Sequence, residues 1–124
     1  MPITTERFPS RDLTVFTPVG SSGLDEQIAV LKDFYEATPT RNVLWDFRNI
    51  RGKRLSSGDL RLIIEHLGRY RDRRPPGKTA LVSSTELDFG LSRMSGSLAD
   101  SEELPWKIQA FSSFAEAESW LDET

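Results

Sequence analysis

Four times along the chain a Ser or Thr is followed three residues later by Asp or Glu, at the start of an amphipathic stripe. The pairs are Ser22 with Asp25, Ser56 with Asp59, Thr85 with Asp88 and Ser113 with Glu116. This is the capping-box spacing. The hydroxyl accepts from a backbone N–H that has no partner inside the helix, and the acid sits at the positive helix end. Each such cap contributes about 1 kcal/mol. The stripes that follow recur at helical spacing. They are Leu24, Ile28, Leu31 and Tyr35, widened by Val30 and Phe34; Leu60, Ile63, Ile64 and Leu67; Leu87, Leu91, Met94 and Leu98; and Phe114, Ala117 and Leu121 with Trp120 beside them. Pro39 ends the first helix at about Ala37, and Pro75-Pro76-Gly77 stops the second. Gly90 and Gly96 fall inside the third, which implies close packing or a loosened middle.

Short apolar runs separate these helices. Residues 42–47 read NVLWDF, a nearly continuous apolar run suited to a strand covered on both faces. Residues 79–82 and 106–111 read as further strands. Residues 3–8 and 13–19, split by the turn chemistry of Pro9-Ser10-Arg11-Asp12, suggest a hairpin. Pro18 is tolerated there only at a strand end or edge. The predicted order is β-β-α-β-α-β-α-β-α. Strands alternating with helices give an α/β sandwich with a mixed, mostly parallel sheet of about five strands and four helices. A chain of 124 residues fits one domain, residues 1–124, with a real core of its own.

Composition narrows the chemistry. There is no Cys, which excludes disulfides, thiolate metal sites and a Cys nucleophile. The opening MPITTERFPSRD has no apolar core, and no apolar run approaches the ~20 residues of a membrane span. The expectation is a cytoplasmic, soluble protein. The net charge of −3 conceals a basic middle: residues 41–78 carry 11 basic and 4 acidic side chains between two acidic ends. Such blocks suit an anionic ligand or an acidic partner, and equally neutralise one another within the fold or across a homodimer. The run RYRDRR invites a nucleic-acid reading, but an acidic chain without exposed stacking aromatics argues against it.

The site is expected where strands feed helices, at the carboxyl edge of the sheet. Asp46 ends the best strand, and a carboxylate there must be solvated, paired with an Arg, or turned to a ligand. Arg48, Arg51, Lys53 and Arg54 follow in the loop, and Ser56, Ser57 and Gly58 open the second helix. Ser83, Ser84 and Arg93 complete the candidate ligand or partner surface. A phosphate or other anion at Ser57 would lie at a helix N-terminus beside Arg51, Lys53 and Arg54, although capping alone also accounts for both serines. The glycine–serine loop Gly20-Ser21-Ser22-Gly23 lacks the Lys of a phosphate loop and reads as a turn and cap. The lone His66 lies mid-helix at the edge of the apolar face. Ser57, His66 and Asp46 are badly placed for a triad, and no metal-ligand spacing occurs. The reading is a non-enzymatic domain with no catalytic residue, metal or cofactor.

The motifs NVLWDF, LSSGDLRLI, GKTALVSS, FGLSRM and AEAESWL, in this order, resemble the STAS superfamily of sulfate transporters and anti-sigma-factor antagonists. The likeness is to the stand-alone bacterial STAS-like proteins that share features with CRAL-TRIO lipid-binding domains. In the antagonists the second Ser of Asp-Ser-Ser-Gly is phosphorylated to release a partner; that Ser matches Ser57, and the strand acid matches Asp46. The acid before the serines is Leu55 here, and the loop is longer and more basic. The resemblance implies a regulatory or ligand-binding domain acting through residues 48–59 on a protein partner or small anion. Its alternative is a CRAL-TRIO-like carrier of a small apolar or lipid ligand, gated by the third helix with Phe89, Leu91 and Met94.

Overall fold

The computed structural model describes residues 3–21, 23–51 and 55–123. Among them the elements run β1 (Ile3–Phe8), β2 (Leu13–Pro18), α1 (Leu24–Glu36), β3 (Asn42–Asp46), α2 (Ser57–Leu67), β4 (Lys78–Val82), α3 (Glu86–Ser101), β5 (Lys107–Phe111) and α4 (Phe114–Asp122). The strands form one sheet in the order β1-β2-β3-β4-β5. β1 and β2 pair antiparallel, and every other pair is parallel. The predicted order and mixed sheet are therefore observed. The β2–β3 ladder covers only Leu13 to Phe16, so Pro18 needs no hydrogen bond on that side. Beyond it the chains meet once more: Gly20 N–H donates to Asn49 O at 3.1 Å, and Arg51 N–H to Gly20 O at 2.9 Å. Gly20 takes φ +71° to do so, a backbone that glycine adopts without strain.

Three of the four caps form. Ser56 makes the complete box with Asp59. Thr85 accepts from Asp88 N–H, and Ser113 from Glu116 N–H. The first differs: the N-cap of α1 is Gly23, without a side-chain bond, and Ser22 lies outside the described residues.

Side-chain alternation divides the core. Val43, Trp45 and Leu81 turn to the face covered by α1, α2 and α3, where Leu31, Phe34, Tyr35, Ile64, Leu67 and Ala99 meet them. Leu44, Ala80 and Val82 turn to the other face, where Ala117 and Leu121 of α4 cover them. Successive parallel crossovers of one hand, stepping one way along the sheet, put their helices on one face. The fourth helix closes the other.

The two helical glycines have different reasons. A Cβ on Gly96 would lie 2.9 Å from Ile108 O, so this glycine lets α3 sit close on β5. Gly90 faces open space. Gly96→Ala is expected to lower stability by roughly 1–3 kcal/mol, and Gly90→Ala to raise it by about 0.5–1 kcal/mol. Urea unfolding of both variants checks the pair.

Candidate functional site

The expected polar site separates into pieces. Asp46 is 5% exposed and belongs to the Leu44 side of β3, away from α2. Arg48 grips it as a fork: Nε donates to Oδ1 at 2.8 Å, and Nη2 to Oδ2 at 2.9 Å. The Arg48 backbone N–H also donates to Oδ1 at 3.1 Å. Burial alone would raise the Asp46 carboxyl pKa, but the Arg48 hydrogen bonds outweigh it and hold the group below its ordinary value. The guanidinium lies 4.8 Å from the Phe114 ring centroid on α4. Of the roles open to Asp46, pairing with an Arg is the one seen.

The Arg51 guanidinium donates to the carbonyls of Arg48 and Ile50. Ser56 is used in its cap, whereas Ser57 and Gly58 are exposed at the start of α2. Ser83 is buried against α3, its Oγ 3.2 Å from Ser92 Oγ. Ser84 and Arg93 are exposed. Lys53 and Arg54 lie outside the described residues. Among the described residues no group of three His, Cys, Asp or Glu side chains could hold a metal. None of their helices is long and apolar enough to cross a membrane.

What the structure does assemble is an apolar cavity of about 120 Å³ beneath α2. Trp45, Leu81 and Ile108 form its floor from the sheet, Ile63, Ile64 and Leu67 its roof from α2, and Leu31 and Leu91 its flanks from α1 and α3. Phe47, Ile50 and Leu55 lie toward the carboxyl edge of the strands. Of the candidate polar residues among the described residues, Ser83 alone reaches it. Its origin is packing geometry. α3 is drawn down onto β5 at Gly96, whereas α2 packs chiefly against α1 and α3 and bridges the gap. Leu91 of the expected gate lines the cavity; Phe89 and Met94 do not. The signal available in sequence was the run of small residues Ser92, Ser95, Gly96 and Ala99, which no stripe of large apolar residues would reveal.

His66 borders this roof. Its Nε2 is buried with no hydrogen-bond partner among the described residues, and its ring meets Tyr70 edge-on at 5.3 Å. Burial, then the charge of Arg69, lowers its pKa; Lys32 adds to this and Glu36 opposes it. The folded chain thus holds this proton less tightly than the unfolded chain. Its contribution to stability is full above the ordinary value of 6.5 and is lost as pH falls through it, levelling below the folded pKa. Thermal unfolding is expected to show a loss of stability between about pH 7.5 and about pH 5.5 that His66→Phe reduces.

The fold and site together define an α/β domain of the SpoIIAA-like type, the fold of the STAS anti-sigma antagonists, with an apolar cavity under its second helix. The comparison that shows the fold is with a solved structure from Shewanella loihica PV-4, an uncharacterized protein from the DUF3478 family with a SpoIIAA-like fold. The two share 19% identity at a TM-score of 0.59, over 96% of this chain and 91% of that one. No protein-family model matches the chain, and no curated protein matches it.

Proposed function

We propose that this chain is a non-enzymatic STAS-type binding domain that holds one small apolar molecule between α2, α3 and the sheet. The cavity carries this reading. Its lining is mainly aliphatic and aromatic, and it lies beside the carboxyl edge of the strands, where open α/β sheets receive ligands. A well-packed interior has few voids larger than a water. An apolar void of comparable size stays dry and takes up a benzene-sized guest. Native mass spectrometry of the protein as purified from cells tests the reading. One small apolar molecule per chain is expected. A bare polypeptide mass under gentle ionisation, with no uptake of added toluene, would contradict it.

A second reading, docking of a protein partner through residues 48–59, is favoured by the exposure of Ser57 and Gly58 at the start of α2. Leu55, two residues earlier, lines the cavity, so a ligand there would touch the chain that leads into this surface. The two readings join in a regulatory domain whose partner surface responds to its ligand. Affinity capture with the wild-type chain and with the Arg51→Ala/Ser57→Ala double variant separates them. Loss of a captured partner supports the docking surface; unchanged capture removes it.

A further inference from the structure

Buried polar side chains interrupt the apolar lining. Ser83 is 1% exposed and Ser92 6% exposed, and their Oγ atoms lie 3.2 Å apart. Two hydroxyls carry two hydrogens, and a single contact uses one. The second hydrogen has no acceptor among the described residues. Ser95 is different, because its Oγ already donates to Leu91 O at 3.2 Å. On the opposite flank Gln27 of α1 is 5% exposed, lines the same cavity and makes no side-chain hydrogen bond among the described residues. A hydroxyl pair keeps hydrogen-bonding capacity beyond its single mutual contact, so a cavity lined by one can bond a guest that carries an oxygen.

We infer that the ligand is an uncharged molecule with one oxygen head, an alcohol, phenol or carbonyl compound, on an apolar body of about six carbons. Its oxygen meets the Ser83–Ser92 pair and its body fills the space under Ile63, Ile64 and Leu67. This rests on the apolar-cavity reading above and adds the chemistry of the head. A carboxylate is the wrong head. Asp88, itself an acid, also lines the cavity, so a carboxylate head would be desolvated beside a second acid.

Three probes with one common body test this: toluene, p-cresol and p-toluate, titrated against the whole chain by calorimetry. p-Cresol is expected to bind about tenfold or more tightly than toluene, the scale of one hydrogen bond, and p-toluate most weakly. Ser92→Ala, a helix-compatible change, and Ser83→Ala are each expected to remove most of the p-cresol advantage. The readout is the ratio of p-cresol to toluene affinity in each variant, and a circular dichroism melt of each shows that it folds. Equal binding of toluene and p-cresol, unaltered by either change, overturns the choice of head and leaves the cavity reading standing. Tightest binding by p-toluate also overturns it. Failure of all three probes to bind overturns the cavity reading and this inference together.

Discussion

Replacing Arg74 by Ala is expected to lower the thermal unfolding midpoint by roughly 10 °C or more, a loss of about 3 kcal/mol. Arg74 is only 4% exposed, and no acidic partner lies in salt-bridge reach among the described residues. Its guanidinium instead ties four parts of the chain together. Nε and Nη2 donate to Arg41 O at 3.0 and 2.8 Å, Nη2 to Lys78 O at 2.9 Å, and Nη1 to Tyr35 Oη at 3.2 Å. The fork lies 4.9 Å from the Trp106 ring centroid, and Trp106 Nε1 donates back to Arg74 O at 3.3 Å. Burial pushes the guanidinium pKa down and the Tyr35 pKa up, and their mutual contact opposes both shifts. Truncation leaves the part-buried Arg41 and Lys78 carbonyls and the buried Tyr35 hydroxyl without this donor. Arg74→Lys is expected to restore little, since a point charge cannot reproduce a planar fork that serves three acceptors. Circular dichroism melts of the two variants measure this.

Ile63→Trp is expected to abolish ligand uptake, with at least a ~100-fold loss of toluene affinity, without lowering stability. Ile63 is half-buried on α2 and forms part of the roof. An indole there enters an existing void, so the usual penalty for overpacking is avoided. The ring also covers apolar lining that the void leaves without packing partners. Calorimetry with toluene, run beside a thermal melt, reads both halves of the prediction. A variant that binds as well as the parent would place the ligand elsewhere.

The architecture was legible because local signals agree with one another. The hydroxyl–acid pairs at Ser56, Thr85 and Ser113 act on the backbone next to them, so their spacing reports directly on structure. Asp46 and Arg48 are two residues apart, and their pairing was among the roles the sequence allowed. The cavity was not legible. It depends on how deeply α3 settles onto β5 at Gly96, a distance set by tertiary packing and carried by residues with almost no side chain. Arg74 was concealed for a related reason. In RYRDRR it looks like its neighbours, yet Arg71 donates to Glu102 O and Arg73 to Glu36 O at the surface, whereas Arg74 turns inward. The basic middle of the chain is therefore not uniform. One of its cations is buried, and Arg48 is committed to Asp46.

The central claim is that a ligand enters beneath α2. Solution NMR of the methyl-labelled protein with toluene tests it most directly. Intermolecular contacts are expected from the toluene protons to the methyl groups of Leu31, Ile63, Leu67, Leu81 and Ile108, which line the cavity. Contacts to none of these methyls, with shifts confined to the exposed start of α2 at Ser57 and Gly58, would contradict it.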